Sequence, residues 1–364
     1  MANTPLNHDL APVRYQLFIQ PDLNPQRASH PFQGTQRMEF DVTHPTSSVR
    51  FHRNPNLDVS NLVMTAGDRV IGVPADRVSY DPKTQVAHVD LGERIPAGRA
   101  TLTVDYHGRL NPKPAGVYFS EHTLPDGSKS VMMTSQMEPT DARALPCVDE
   151  PNAKAVWDVS MRIPQGLTGV SNTHPVSVEL HPDGTKTVTF APTPPMSSYL
   201  LYVGAGQFES VVAQHGETTV RVYTIPGQSR NAHHALDRSV ENLRFFEGYF
   251  ALPFPLRKLD SLAVPDFSFG AMENWGAVTY RQDRLLTNTE TASLDDVLNV
   301  DITVDHEQAH QWFGDLVTMG DWPGLWLNES FADFMSYYSA TKLHPELDPM
   351  AQWLGGRVAG VFTL

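Results

Sequence analysis

The sequence predicts an α+β protein: an antiparallel β domain at the N-terminal end, then a domain carrying helices. Three observations lead there. Segments with period-two apolar alternation fill the first two hundred positions, turn formers recur between them, and after Gly206 the apolar spacing lengthens to three and four. The chain has 364 residues, 40% of them hydrophobic and 19% charged. That length suits two or three domains with real cores and sets aside disordered and fibrous classes.

Taken in order, Tyr15, Leu17 and Ile19 share one face of a strand, as do Met38, Phe40 and Val42. Leu102, Val104 and Tyr106 do the same, and so do Trp157, Val159, Met161 and Ile163. Each set reads as a half-buried strand. Pro125-Asp126-Gly127 and Pro182-Asp183-Gly184 supply a fixed φ followed by a glycine able to take a positive one. From Ala232 to Phe250, the residues Leu236, Val240, Leu243 and Phe246 fall on one helical face. The change of period places a domain boundary near Gln207, giving domains over 1–207 and 208–364.

Charge and composition narrow the partners. Lys plus Arg number 27 against 41 Asp plus Glu, a net charge of −14 that repels phosphate backbones and anionic lipid. Nucleic acid is not an expected partner. The longest apolar stretch free of formal charge, Ser198 to Phe208, is well short of the roughly 20 residues that span a bilayer, so no membrane crossing is expected. Met1 to His8 lacks the basic segment and apolar core of a secretory signal, and the single cysteine, Cys147, suits a reducing compartment. A cytoplasmic location is the expectation.

Ser293 with Asp296 three residues on has the form of a capping box, and Asp295 and Asp296 sit where the helix dipole favours negative charge. The helix is expected to run to Phe313, with Gly314 ending it. Inside it lies His306-Glu307-Gln308-Ala309-His310. Four-residue spacing puts both imidazoles on one face, one turn apart, able to converge on a single zinc ion, while Glu307 is displaced enough to reach a zinc-bound water. A histidine pair alone is equally compatible with a solvated face. A catalytic zinc needs a third ligand. Eighteen residues separate His310 from Glu329, which opens a second helical pattern with Leu327, Phe331, Phe334, Met335 and Tyr338 on the expected apolar face. A loop with Gly320, Pro323 and Gly324 returns the chain for antiparallel packing. Cys147, in a Pro-Cys context far upstream, reads as a packed small residue and not a ligand.

The run HEQAHQWFGDLVTM at 306–319, with WLNE at 326–329, resembles the gluzincin aminopeptidases of the aminopeptidase N type, which are zinc metallopeptidases. Phe269 precedes a GAMEN motif at 270–274, followed by Trp275 and Gly276, and QMEPTDAR at 136–143 continuing to PCVDEP at 146–151 is similar to the family's other signature. The resemblance covers essentially the whole chain from Val13 onward. It implies an antiparallel β saddle domain followed by a thermolysin-like catalytic domain, one zinc ion per chain, and peptide substrates with a free N-terminus. Glu273 and Glu138 become the candidates for gripping the substrate ammonium group through charge-assisted hydrogen bonds, so that the first peptide carbonyl falls on the metal. Gln136, Gly270, Ala271, Met272 and Asn274 are the further substrate-binding candidates. The small side chains of Gly270 and Ala271 suit a strand edge to which substrate backbone adds. Phe269 either walls the first side-chain pocket or belongs to the core, and Asp333 is a candidate for orienting His306. In the implied mechanism zinc is held by His306, His310 and Glu329, and Glu307 is the general base.

The sequence also departs from the family. The tyrosine that donates to the oxyanion in relatives lies beyond Leu364, and Tyr337 and Tyr338 sit too close to Glu329 to replace it. With the family's C-terminal helical domain absent as well, the chain reads as truncated. Ser330 stands where a glycine is usual, and Asp305 where a small apolar residue is commoner, either raising the basicity of its neighbours or facing solvent. The expected function is a zinc aminopeptidase. The alternatives are a silent fragment or relative that binds zinc and peptide, and a bifunctional aminopeptidase that also opens epoxides.

Overall fold

The computed structural model describes residues 5–137 and 140–355. The chain forms two compact units. One runs to Thr123 and takes in Ser128–Gln207 and Gly320–Trp322; the other holds Leu124–Gly127, Phe208–Met319 and the residues from Pro323 on.

The first unit is built of β-sheets. Its largest has eight strands, in the order Pro175–Leu180, Thr185–Phe190, Val156–Pro164, Leu10–Pro21, Pro31–Val42, Gly98–Arg109, Asp58–Ala66 and Arg69–Val73. Neighbours are antiparallel except Leu10–Pro21 with Val156–Pro164, a parallel pair in which Tyr15 faces Trp157. Alternation along a strand does not encode the direction of its neighbour, so this pair was not legible in advance. The four predicted faces are all buried, and Met38 sits opposite both Tyr15 and Leu102, which makes one apolar layer across three strands. Each such side chain contributes about 1.5–3 kcal/mol by leaving water. Gly127 and Gly184 take φ of 84° and 79° in their turns. A three-stranded sheet (Thr46–His52, Val86–Ile95, Val78–Asp81) and a four-stranded one (Thr168–Ser171, Val203–Gly206, Lys129–Gln136, Gly116–Thr123) complete the unit.

Polar groups tie the segment that follows strand Lys129–Gln136 into this unit. The Val148 N–H donates to the Tyr15 hydroxyl, and the Asp149 N–H donates to His52 Nδ1. The Asp149 carboxylate accepts from Arg143 and Ser198. Cys147 is fully buried, its thiol directed at the carbonyl of Ala142.

The second unit has a five-stranded mixed sheet, Glu209–His215, Thr218–Thr224, Lys258–Val264, Ala277–Arg281 and Ala271–Met272 in that order. Its helices are α1 (His233–Phe250), α2 (Leu294–His310), α3 (Leu325–Leu343) and the short α4 (Pro349–Trp353). Ser293 and Asp296 form the expected reciprocal cap on α2. The helix stops at His310, short of Phe313, because the N–H groups of Gln311 and Trp312 bond three residues back and tighten the turn. Gly314 then takes φ of 133°. No described helix is long and apolar enough to cross a membrane.

The apolar faces differ from expectation in two helices. Leu236, Leu243 and Phe246 of α1 are buried and Val240 is half-buried, but Arg238, Ser239 and Asn242 are buried beside them. In α3, Leu327 and Phe334 are exposed, whereas Asn328, Ala332, Met335, Ser336, Ser339 and Ala340 are buried. Small and polar residues turn inward there because α3 approaches polar groups on α2, which a bulky apolar face would hold apart.

Burial and the nearby Arg143 charge hold the His52 imidazole down to about 3. The unfolded chain, with His near 6.5, therefore binds a proton that the native state refuses between those values, and stability falls as pH falls through that window. Asp141, raised to about 6 by burial and by Asp149, acts in the opposite sense between about 4 and 6, so the comparison needs a variant. His52→Asn keeps an acceptor for the Asp149 N–H but does not titrate. Measured by urea unfolding, the stability of the unmodified protein relative to His52→Asn should drop by on the order of 1–2 kcal/mol from pH 6.5 to 5. A gap that does not change with pH would remove the assignment.

Candidate metal centre

Two helices of the second unit bring three ligand atoms to one point. His306 and His310 lie one turn apart on α2, and their Nε2 atoms are 3.0 Å from each other. Glu329, in the second turn of α3, brings Oε2 to 3.3 Å from His306 Nε2 and 3.6 Å from His310 Nε2. Among the described residues this is the one cluster of three side chains suited to hold a metal ion. Two imidazole nitrogens and a carboxylate oxygen are the donor types of a zinc site, and ligands about 2.0–2.1 Å from a tetrahedral ion stand about 3.3 Å apart. The three observed separations bracket that value, so the residues fit the ion.

The local chain explains the convergence. His310 Nδ1 lies 2.9 Å from the carbonyl oxygen of Phe313; donating its hydrogen there leaves the Nε2 lone pair directed at the cluster. Gly314 makes room for this: a Cβ at that position would come within 2.9 Å of the His310 ring nitrogen. The tightened turn and the glycine therefore serve the ligand as well as ending the helix. The side chain of His310 is 1% exposed and that of Glu329 46%, so one side of the cluster is closed and the other open.

The charges agree with a cation site. Burial lowers His306, favouring the neutral form that ligates. Burial also pulls His310 down, but the charges of Glu273, Glu329 and Glu307 outweigh it and raise this imidazole well above its ordinary range. Burial opposes ionisation of Glu329, yet hydrogen bonds to both imidazoles hold it well below the usual carboxylate range. Glu273 is buried and raised, chiefly by that burial, with the His310 charge pulling it back.

The remaining candidates fall into three groups. Gly270, Ala271, Met272, Glu273 and Asn274 belong to the same unit as the cluster. Ala271–Met272 form the edge strand of the five-stranded sheet, the Arg281 N–H donates to the Gly270 carbonyl, and Asn274 accepts from the Thr279 hydroxyl. Glu307 is buried on α2. Asp333 is half-buried on α3, and its charge raises His306. Gln136 belongs to the β unit, where it is buried at the end of its strand, and Glu138 lies outside the described residues. Phe269 is 49% exposed, which excludes the core reading. Tyr337 is buried, and Tyr338 stacks on Phe334 and meets Tyr249 and Phe245, as packing residues do.

Sequence reasoning missed Gln311. Its Nε2 donates to the carbonyls of Glu273 and Glu307 and its Oε1 accepts from the Gly276 N–H, which staples the 269–276 segment to the helix bearing both histidines. It stands directly after His310, but a side-chain amide holding two backbone segments leaves no periodic signal. Asp305 was expected to face solvent or tune its neighbours; it is buried, in an ion pair with Arg238.

The chain matches known proteins along nearly its whole length. Residues 11–200 match the peptidase M1 N-terminal domain and residues 234–360 the peptidase family M1 domain. It is 39% identical to aminopeptidase M1-A of Oryza sativa subsp. japonica over 96% of this chain and 40% of that protein. It is 36% identical to aminopeptidase 2, mitochondrial, of Saccharomyces cerevisiae over 96% of this chain and 36% of that one. For endoplasmic reticulum aminopeptidase 1 of Homo sapiens the figures are 37%, 92% and 36%. The chain thus spans about 40% or less of the length of these curated relatives.

Calorimetric titration should find one zinc site per chain, with affinity falling as pH falls, because a proton on either imidazole competes with the cation. The groups that raise His310 extend that competition above the ordinary imidazole range. His310→Ala should weaken binding by more than the ~10–100-fold that losing a ligand's hydrogen-bond partner costs. Undiminished binding by that variant would place the metal elsewhere.

Proposed function

Because the chain belongs to peptidase family M1, we propose that it carries the zinc site of an aminopeptidase, which removes N-terminal residues from peptides. The observation that supports this best is the convergence of His306, His310 and Glu329, with Glu307 between the two histidines on α2 and the buried Glu273 near enough for its charge to act on His310. The domain assignment that goes with it is an N-terminal β domain over 1–207 and a thermolysin-like zinc domain over 208–364. A reducing, cytoplasmic setting accords with the single buried thiol of Cys147.

A zinc ion on these three ligands acts as a Lewis acid that lowers the pKa of a water and polarises the scissile carbonyl. The residues of the chain do the rest. Glu307, about 100° round the helix from His306, takes a proton from the attacking water and returns it to the leaving amine. His306 and His310 stay neutral while they ligate, the latter oriented by the Phe313 carbonyl. Glu273, with Glu138, binds the substrate's ammonium group, and the arriving cation offsets the burial that raises the Glu273 carboxyl. Holding the ammonium group in place selects the first peptide bond over later ones in this reading. Gly270, Ala271, Met272 and Asn274 contact the substrate's backbone in this reading, Gln136 is the further candidate for its N-terminal residue, and Asp333 steadies His306 by its charge.

Glu307→Gln should bind zinc as the unmodified protein does yet release N-terminal residues from chromogenic aminoacyl amides at least about 100-fold more slowly. Wild-type turnover by that variant would rule out the base. Glu273→Gln should raise KM for free-amine substrates and erode the preference over N-acetylated ones, since it removes a charge-assisted contact. Zinc binding with no release of amino acids from any substrate would mark a binding chain and not an enzyme.

A further inference from the structure

Where α1, α2 and α3 meet, the contact is polar and centred on the carboxylate of Asp305. His234 and Arg238, one turn apart on α1, face Asp301 and Asp305, one turn apart on α2, so these helices run side by side in the same sense. Arg238 grips Asp305 with both arms of its fork, Nε to Oδ1 at 2.7 Å and Nη2 to Oδ2 at 2.5 Å. Asn242 of α1 also donates to Oδ1, and the Ser339 hydroxyl of α3 to Oδ2 at 2.6 Å. Each carboxylate oxygen thus accepts twice. The side chains of Arg238 and Asp305 are 1% and 0% exposed.

This knot is next in sequence to a ligand. Asp305 immediately precedes His306, and α3 touches α2 through two polar points, Ser339 on Asp305 and Glu329 on the two histidines. Glu329 precedes Ser339 on α3, whereas its partners His306 and His310 follow Asp305 on α2, so the helices are antiparallel, and the two contacts, about 15 Å apart along α3, fix their register. Apolar helix contacts tolerate sliding. A carboxylate fixed by four donors does not, and a slide of half a turn, about 2.7 Å, would carry Glu329 out of ligand distance.

We propose that Arg238 and Asp305 are positioning residues for the metal ligands: their buried pair, with Asn242 and Ser339, locks the register of α1, α2 and α3 and so holds His306 and His310 against Glu329. The inference rests on the zinc reading above. It gives the buried aspartate a purpose that a stability argument alone does not, because apolar residues in place of a buried ion pair are often neutral or stabilising.

The test compares the unmodified protein, Arg238→Met with Asp305→Leu, and Ser339→Ala, which removes one donor and leaves the ion pair. Zinc affinity is read by competition with a chelator, ligand geometry by the visible spectrum of the cobalt-substituted protein, and folding by the urea midpoint. The double variant should unfold at a midpoint close to the unmodified protein yet bind zinc about 10–100-fold more weakly, with a shifted cobalt spectrum; Ser339→Ala should shift both in the same direction by less. A folded double variant with unchanged zinc affinity and cobalt spectrum overturns the proposal. Should the double variant not fold, Ser339→Ala decides, and unaltered affinity and spectrum there overturn it. Absence of zinc binding by the unmodified protein overturns the zinc reading itself and the inference with it.

Discussion

The organisation of the second unit depends on bringing two imidazole nitrogens and a carboxylate oxygen to within 3.0–3.6 Å of each other. Lone pairs and partial negative charge do not gather spontaneously; a proton or a cation must offset the repulsion, and the backbone must withstand what is left. The surrounding structure meets this need residue by residue. The carbonyl of Phe313 turns the His310 ring, Gly314 stays small beneath it, and Gln311 ties the 269–276 segment to the same turn.

The two units are held together in different ways. In the β unit, period-two faces stack into an apolar layer in which Tyr15 and Trp157 bring their ring centroids to 4.2 Å, and burial of area does most of the stabilising. The buried Arg143–Asp149–Ser198 cluster beside His52 anchors an irregular segment that, among the described residues, pairs with a sheet strand only through the Cys147–His52 backbone bridge. In the helical unit the contact between helices is polar at the place that matters. Buried ion pairs contribute little net stability, but their attested use is to set register, which is what ligands on two different helices require.

The exposed side chains of α3 follow from the same geometry. With small and polar residues turned toward α2, Leu327 and Phe334 point outward, while Met335 is buried and Phe331 reaches back, its ring centroid 4.0 Å from that of Phe313. Helical periodicity weighs hydrophobicity alone, so it placed Met335 correctly but put Leu327 and Phe334 on the buried side as well. A face that must approach ionised partners is selected by size and hydrogen-bonding capacity instead.

Local chemistry in the sequence determined a good deal by itself. Alternation identified the faces that are buried in the sheets, the Ser293–Asp296 cap located the start of α2, the glycine turns were correctly placed, and the four-residue spacing of His306 and His310 put both on one side of a helix. These are properties of neighbouring residues and need no knowledge of the rest of the chain. Tertiary structure alone decided the parallel pairing of Leu10–Pro21 with Val156–Pro164, the inward face of α3, and the fate of Asp305. Asp305 shows the reason. An aspartate in a helix reads as solvated until a guanidinium 67 positions away arrives beside it, and a charge's partner across that distance is set by the fold.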